Sequence, residues 1–234
     1  MTHYDIVGDA AKIFKTIQAG GVAIVPLDVA YAVVTHSAAG VRRIYTAKGR
    51  SFEKPNGTFG NLDIFDEVYA IGQKERDIVH TVVAQHDLPL SIVARFHREH
   101  PFFAHCEAEA LERSTKGDTM DMLLNAGALH NQLADLSWQN LFPLRGSSAN
   151  RSLSGSKFRL QDIEAEVVAA ADICIDHGLS KYHNPEGISS TIIDLTNFTT
   201  LRFGVCYEEI RVILKNKFSI ELAEKPSSGR LTIV

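Results

Sequence analysis

The sequence predicts an α/β domain, a twisted mixed sheet with helices packed on it, and three observations lead there. Helical and strand-like apolar patterns interleave along the chain without a strict strand–helix–strand cadence, so parallel and antiparallel neighbours must mix. No Pro/Gly/Ser-rich linker divides the 234 residues, which favours one domain over two. With 45% hydrophobic residues the chain can bury a sizeable core.

The elements follow in order. Asp9 is expected to cap a helix whose Ile13, Phe14 and Ile17 share a face, and Gly20-Gly21 stops it before the apolar strand VAIVP. PLDVAYAVV departs from simple alternation. Val41, Ile44 and Tyr45 then recur at helical spacing up to Lys48-Gly49-Arg50, which gathers cations at a helix C-terminus. KERDIVHTVVAQH and LPLSIVA read as a second helix and strand. Between residues 99 and 140 helices are expected near EAEALER and ALHNQLADL, separated by the polar turn STKGDT. A short strand and loop at FPLRGSSAN lead to a helix through LQDIEAEVVAAA and to strands at DICID, STIIDLT and TLRFG. The last helix, YEEIRVILKNK, carries Ile210, Ile213 and Leu214 on one face. The expected domain spans 1–215, with residues 216–234 as a loosely attached tail.

Composition excludes several classes. A net charge of −4 provides no global positive field to gather nucleic acid or an anionic membrane, so anion binding must rest on local clusters. Cys106, Cys174 and Cys206 lie far apart, which suits neither a disulfide framework nor a zinc knuckle. No leader-like start and no bilayer-length apolar stretch is present, so the expected setting is cytoplasmic, without a membrane. Nothing sets the oligomeric state.

Two polar constellations stand out. In TAKGRSFEKP, Lys48, Arg50 and Lys54 surround Gly49, a set that suits a polyphosphate and reads equally as a solvated helix end. In SSAN, Ser147, Ser148 and Asn150 can converge on one ligand or bond their own turn. His97, His100, His105, Cys106 and Glu107 are clustered, but their spacing fits no common metal-ligand pattern, and no metal site is expected there. Glu186, Lys181 and His183 read as a polar loop before the 189–195 strand, and Trp138 as a core residue.

Together with other segments, these resemble the YrdC family, the threonylcarbamoyl-AMP synthases. IVPLDVAYAV (24–33) is similar to that family's P-T-D-T-x-Y-G-L, AKGRSFEKP to its Lys-x-Arg segment and SSAN to its Ser-x-Asn segment. SSTIIDL (189–195) resembles S-T-[VI]-[VI]-D, and LRFG (201–204) the closing L-R-x-G. All five occur in the family's order. The resemblance implies a YrdC-like twisted mixed sheet with a concave basic cleft. It also implies an ATP-dependent nucleotidyltransferase in which L-threonine, bicarbonate and ATP, with Mg²⁺, give threonylcarbamoyl-adenylate and pyrophosphate for tRNA t6A modification. Partner proteins of tRNA modification come with that role.

Carried over by position, Lys48 and Arg50 would be catalytic. Together with Ser147, Ser148, Asn150 and Arg202 they would bind the nucleotide and the carbamate. Asp28, Tyr31, Lys54 and Thr191 would form the amino-acid pocket. The match departs at Leu27, Val29 and Ala32, where the family has Thr, Thr and Gly, and at Leu153, where it has Gly. REHPFFA (98–104) stands in place of P-G-P-x-T, and LLNAGALH (123–130) in place of Arg-x-Pro-x-His. These changes fall on amino-acid selection, which rests on a few hydrogen bonds, more than on the fold. Threonine or another small amine is therefore the expected substrate. The competing readings are a relative of multidomain carbamoyltransferases, or a non-catalytic protein that binds nucleotide or double-stranded RNA on the same fold.

Overall fold

The computed structural model describes residues 4–51 and 54–226. Helix α1 (Ile6–Gln18) is capped by Asp5, whose carboxylate accepts from the Gly8 amide. The expected cap, Asp9, lies within the first turn and instead binds His177 and Lys12, because Asp5 stands where a side chain can reach the free amides. Then follow β1 (Ala23–Val25), β2 (Ala32–Thr35), α2 (Ala38–Lys48), β3 (Gly57–Gly60), α3 (Leu62–Val68), α4 (Gln73–His80), β4 (Leu90–Arg95) and α5 (Ala108–Glu112). The chain continues through β5 (Thr115–Lys116), β6 (Thr119–Leu124), α6 (Ala128–Gln139), β7 (Arg145–Ser148), α7 (Ala165–Val168), β8 (Ile173–Cys174), β9 (Ile192–Asp194), β10 (Thr199–Arg202) and α8 (Tyr207–Phe218).

These strands form one mixed sheet in the order β10-β9-β4-β6-β3-β7-β2-β1-β8, with β5 on β6. The β1–β8, β3–β6 and β4–β9 pairs are parallel and the others antiparallel. The mixture expected from the interleaved patterns is present.

Three differences from the sequence reading have local causes. The stretch 115–124 is a hairpin, with Gly117 at φ +63° in its turn. Met120, Met122 and Leu124 alternate into the core, a period of two over too few residues to stand out in the sequence. The helix expected over 160–171 shrinks to a 3-10 turn and the four residues of α7, since Glu164 is drawn away to the preceding loop. The expected break after residue 215 falls inside α8, and Ile220 and Leu222 beyond it are buried in the core. Residues 227–234 of that tail lie outside the described residues.

The two faces of the sheet are used differently. On one, residues of α3, α4 and α8 cover β4, β6 and β9, and Ile44 and Val167 cover β1 and β2. On the other, α1 and α6 bury Val25, Val34 and Phe59 of β1–β3. Beyond them this second face carries polar residues. Asp121 stands opposite Val93, Val93 opposite Asp194, and Ser91 and Arg202 are both paired with Ile192. The alternation of strands puts Ser91, Asp121 and Arg202 on one side.

Candidate functional site

The site begins where α2 ends. Ser37 caps the helix by accepting from Gly40, and Gly49, left-handed at φ +56°, turns the chain so that the Arg50 amide returns to Tyr45. The turn leaves Lys48 facing inward at 2% exposure. Its ammonium donates to the backbone carbonyl of Ser148, one hundred residues away, and its own carbonyl accepts from the Ser152 amide at 2.9 Å. Burial, with Arg50 adding to it and Glu164 opposing, lowers the Lys48 pKa to about 7.

The partner segment continues from β7, whose Ser147 and Ser148 pair with Val33 and Ala32. Ser147 Oγ, Asn150 Oδ1 and Ser152 Oγ are buried without hydrogen-bond partners, while Asn150 Nδ2 donates to the Arg151 carbonyl at 2.5 Å. Each such orphan costs about 1–3 kcal/mol, which a polar ligand can recover. Both side-chain polar atoms of Asn56 are orphaned too.

Glu164 latches this loop. Its carboxylate accepts from the Arg151 amide at 3.1 Å, Ser154 Oγ at 2.7 Å and Lys157 Nζ at 3.1 Å. Burial pushes its pKa up, but those donors outweigh it and hold the value at about 2. A depressed carboxylate stabilises above its unfolded pKa and loses that contribution as pH falls toward the folded value. Glu164→Gln is therefore expected to cost about 1–2 kcal/mol at pH 7 after solvent screening, and almost nothing at pH 2. Urea titrations at several pH values check this; a cost independent of pH contradicts it.

Arg50 is held in place by its own loop. Its guanidinium donates to the Pro55 carbonyl at 2.7 Å and the Lys54 carbonyl at 3.3 Å, and sits 5.6 Å from the Tyr45 ring centroid. Lys54 contributes that carbonyl to the arrangement, which also accepts from the Tyr45 hydroxyl, and is itself exposed. Arg202 is aimed by a register shift in the β9–β10 pairing. Its Nε donates to the Ser190 carbonyl at 2.6 Å and its Nη2 to Ser190 Oγ at 2.7 Å; Ser190 Oγ in turn meets Ser91 Oγ at 3.1 Å.

Asp121 is not among the site residues expected from the sequence, where it stands as a lone acid in TMDMLL. Its Oδ1 is buried without a partner, and its Oδ2 lies 3.2 Å from where a Cβ on Gly57 would stand. Glycine at 57 makes room for the carboxylate. Burial raises the Asp121 pKa to about 6 against the pull of Arg202 and Arg50. Asp121→Asn is expected to tighten binding of a polyphosphate probe such as pyrophosphate, if the Arg50 and Arg202 cations receive it, roughly 3- to 10-fold at pH 8, where the wild-type carboxylate is ionised, and to change little at pH 5. Calorimetric titration at both pH values checks it; equal effects at the two would remove the electrostatic role.

The four expected amino-acid-pocket residues occupy different settings. Asp28 borders a cavity of about 210 Å³ with Asp87, Asn125, Asn131 and Lys181, and burial raises its pKa. The Tyr31 hydroxyl donates to Asp176 at 2.6 Å from within the cluster under β1 and β2. Thr191 Oγ1 is buried and donates to the Val205 carbonyl at 2.9 Å. Lys54 is on the Arg50 loop. No group of three or more His, Cys, Asp or Glu side chains is placed to hold a metal ion among the described residues.

A family model described as "Telomere recombination", covering Sua5, YciO and YrdC, matches residues 15–204. The chain belongs to the Sua5/YciO/YrdC family. No curated protein matches it. Among solved structures, the hypothetical protein smu.1377c from Streptococcus mutans UA159 aligns with TM-score 0.72 and 16% identity over 90% of this chain and 92% of its own. P. abyssi Sua5 complexed with L-threonine aligns with TM-score 0.67 and 21% identity over 93% of this chain, which spans only 58% of that protein. E. coli YciO aligns with TM-score 0.57 and 16% identity over 85% and 87% of the two chains. These likenesses establish the YrdC-like fold. Among the described residues no helix is long and apolar enough to cross a membrane.

Proposed function

We propose that the chain is an ATP-dependent nucleotidyltransferase that joins a carbamoylated small amine, L-threonine or a related compound, to adenylate. One observation carries the reading: the Lys48 ammonium is docked on the SSAN segment among buried polar atoms of Ser147, Asn150 and Ser152 that lack partners. Such a cradle suits phosphate oxygens and the polar edge of a carbamate. Family membership supports it, as does the Sua5 relative solved with threonine.

In this reading the amine nitrogen bonds to the bicarbonate carbon, one bicarbonate C–O bond breaks with loss of water, and an N-carboxylate results. Its oxygen attacks the α-phosphorus of MgATP, the bond to the β-phosphate bridging oxygen breaks, and pyrophosphate leaves. Lys48 and Arg50 neutralise the leaving charge and Arg202 lies toward the adenylate, so catalysis is positioning and electrostatics. The described residues do not form a Mg²⁺ cage, and the ion is taken as part of the nucleotide substrate. Cytoplasmic tRNA modification, with partner proteins, is the setting that fits.

The test is pyrophosphate release from ATP and bicarbonate, screened across amino acids and amines. Release that requires threonine supports threonylcarbamoyl-adenylate formation, and release with another amine supports a specialised enzyme. Tight ATP binding without release under any amine favours the non-catalytic alternative, as does double-stranded RNA binding at moderate salt. Unchanged ATP affinity in both Lys48→Ala and Arg50→Ala would remove the phosphate assignment.

A further inference from the structure

Arg145 opens β7, is 1% exposed and is the largest fully buried side chain among the described residues. No carboxylate forms an ion pair with it among the described residues. Its Nη1 reaches only the His36 and Pro143 carbonyls, at 3.4 and 3.5 Å, and its Nε has no partner. The third nitrogen, Nη2, points at Cys106 Sγ, 3.1 Å away. A guanidinium keeps its proton in proteins, so a buried one needs a counter-charge or a full set of acceptors. This one has neither, apart from the sulfur.

The surrounding titratable groups leave that role to Cys106. His36 faces the same carbonyl of Pro143, stacks on Phe142 at 3.7 Å and is held toward its neutral form by burial. Glu107, the nearest acid in sequence, is engaged elsewhere: its Oε1 accepts from the Ala38 amide at the start of α2, at 2.8 Å. Neither of the other two thiols has a guanidinium hydrogen-bonded to its sulfur among the described residues. Burial raises the pKa of Cys174, and burial with Glu209 raises that of Cys206 to about 11. All three cysteines are partly buried, so access alone does not separate them.

We propose that Cys106 is the reactive thiol of this protein, a modification site for small oxidants and electrophiles, with Arg145 holding its sulfur as the nucleophilic anion. With hydrogen peroxide the sulfur attacks one peroxide oxygen and the O–O bond breaks. The departing hydroxide takes a proton from solvent, so cysteine is oxidised to sulfenic acid while peroxide is reduced to water. With iodoacetamide an S–C bond forms and iodide leaves. Modification removes the sulfur's charge and disturbs the guanidinium at the head of the strand that runs into Ser147 and Ser148.

The experiment uses the full chain in its native state. Iodoacetamide labelling is followed by mass spectrometry of the three cysteine peptides between pH 5.5 and 9.5. Cys106 is expected to label at least about 10-fold faster than Cys174 and Cys206 at pH 7, with a midpoint below the ordinary thiol value of about 8.5. Brief peroxide treatment followed by a sulfenic-acid probe should tag the same peptide. Arg145→Gln should slow Cys106 about 10-fold and leave Cys206 unchanged, while Arg145→Lys retains part of the rate. If Arg145→Gln unfolds the chain, all three peptides label together, and the wild-type pH profile with the lysine variant then decides. Equal labelling of the three thiols in the wild type, or a Cys106 midpoint at or above about 8.5, overturns the proposal.

Discussion

Gly204→Ala is expected to lower the thermal midpoint by about 10 °C or more, or to prevent folding. A Cβ at this position would stand 2.2 Å from the Ser190 carbonyl carbon and the Thr191 amide nitrogen, and 2.3 Å from the Ser190 oxygen. All three are backbone atoms, which cannot rotate away as a side chain can. Val205 donates to Ser189 and accepts from Thr191 Oγ1, so the two segments are tied on either side of the contact. Separating them costs about 4 kcal/mol or more, in the range of strained or overpacked cores. It would also displace Ser190, the residue that aims Arg202. Gly49→Ala is the control: φ is +56°, but no atom lies within 4 Å of the added carbon, so about 1 kcal/mol is expected. Calorimetry of both variants decides, and a Gly204→Ala loss no larger than that of Gly49→Ala would show that the segments part easily.

Lys48→Met should do the opposite to stability and, under the proposed function, remove nucleotide binding. The folded-state pKa of about 7 lies below the ordinary lysine value of 10.5, so folding disfavours the charged form. The resulting destabilisation is complete below pH 7, shrinks as pH rises, and is gone above the unfolded pKa. Methionine fills the same space without a charge, at the cost of one of the Ser148 carbonyl's hydrogen bonds, the Asn150 amide remaining on it at 3.0 Å. A net gain of about 1–3 kcal/mol, several degrees, is expected at pH 6.5, fading by about pH 10. Affinity for ATP should fall about 100-fold, since a buried charged donor to phosphate is lost. Thermal scans across pH with ATP titration check both parts. A destabilised variant that still binds ATP would mean that Lys48 serves only to join α2 to β7.

These two residues also show what was readable in advance. The L-R-F-G motif marked Gly204, but its reason, backbone contact with a segment fourteen residues earlier, exists only in the folded chain. The sequence marks Lys48 as a cation on a helix end, which allows a solvated tip; its 2% exposure comes from docking on Ser148. A lone acid in TMDMLL can be noticed in the sequence, but the weight of Asp121 and Asn56 lies in unsatisfied burial, which exists only in the folded chain. The hairpin over 115–124 is illegible in the sequence because two short strands alternate over too few positions to outweigh the helical look of their neighbours.

The class of fold, the order of the principal helices and strands, and the family are legible in the linear chain, because apolar periodicity and short motifs are local properties. Which polar residues face one another emerges only on folding. Folding draws Lys48 onto the SSAN loop, places Asp121 on the same side of the sheet as Arg202, and aims Arg145 at Cys106. The physical reason is that charge, burial and hydrogen-bond satisfaction depend on distances between segments a hundred residues apart, and strand order and register set those distances.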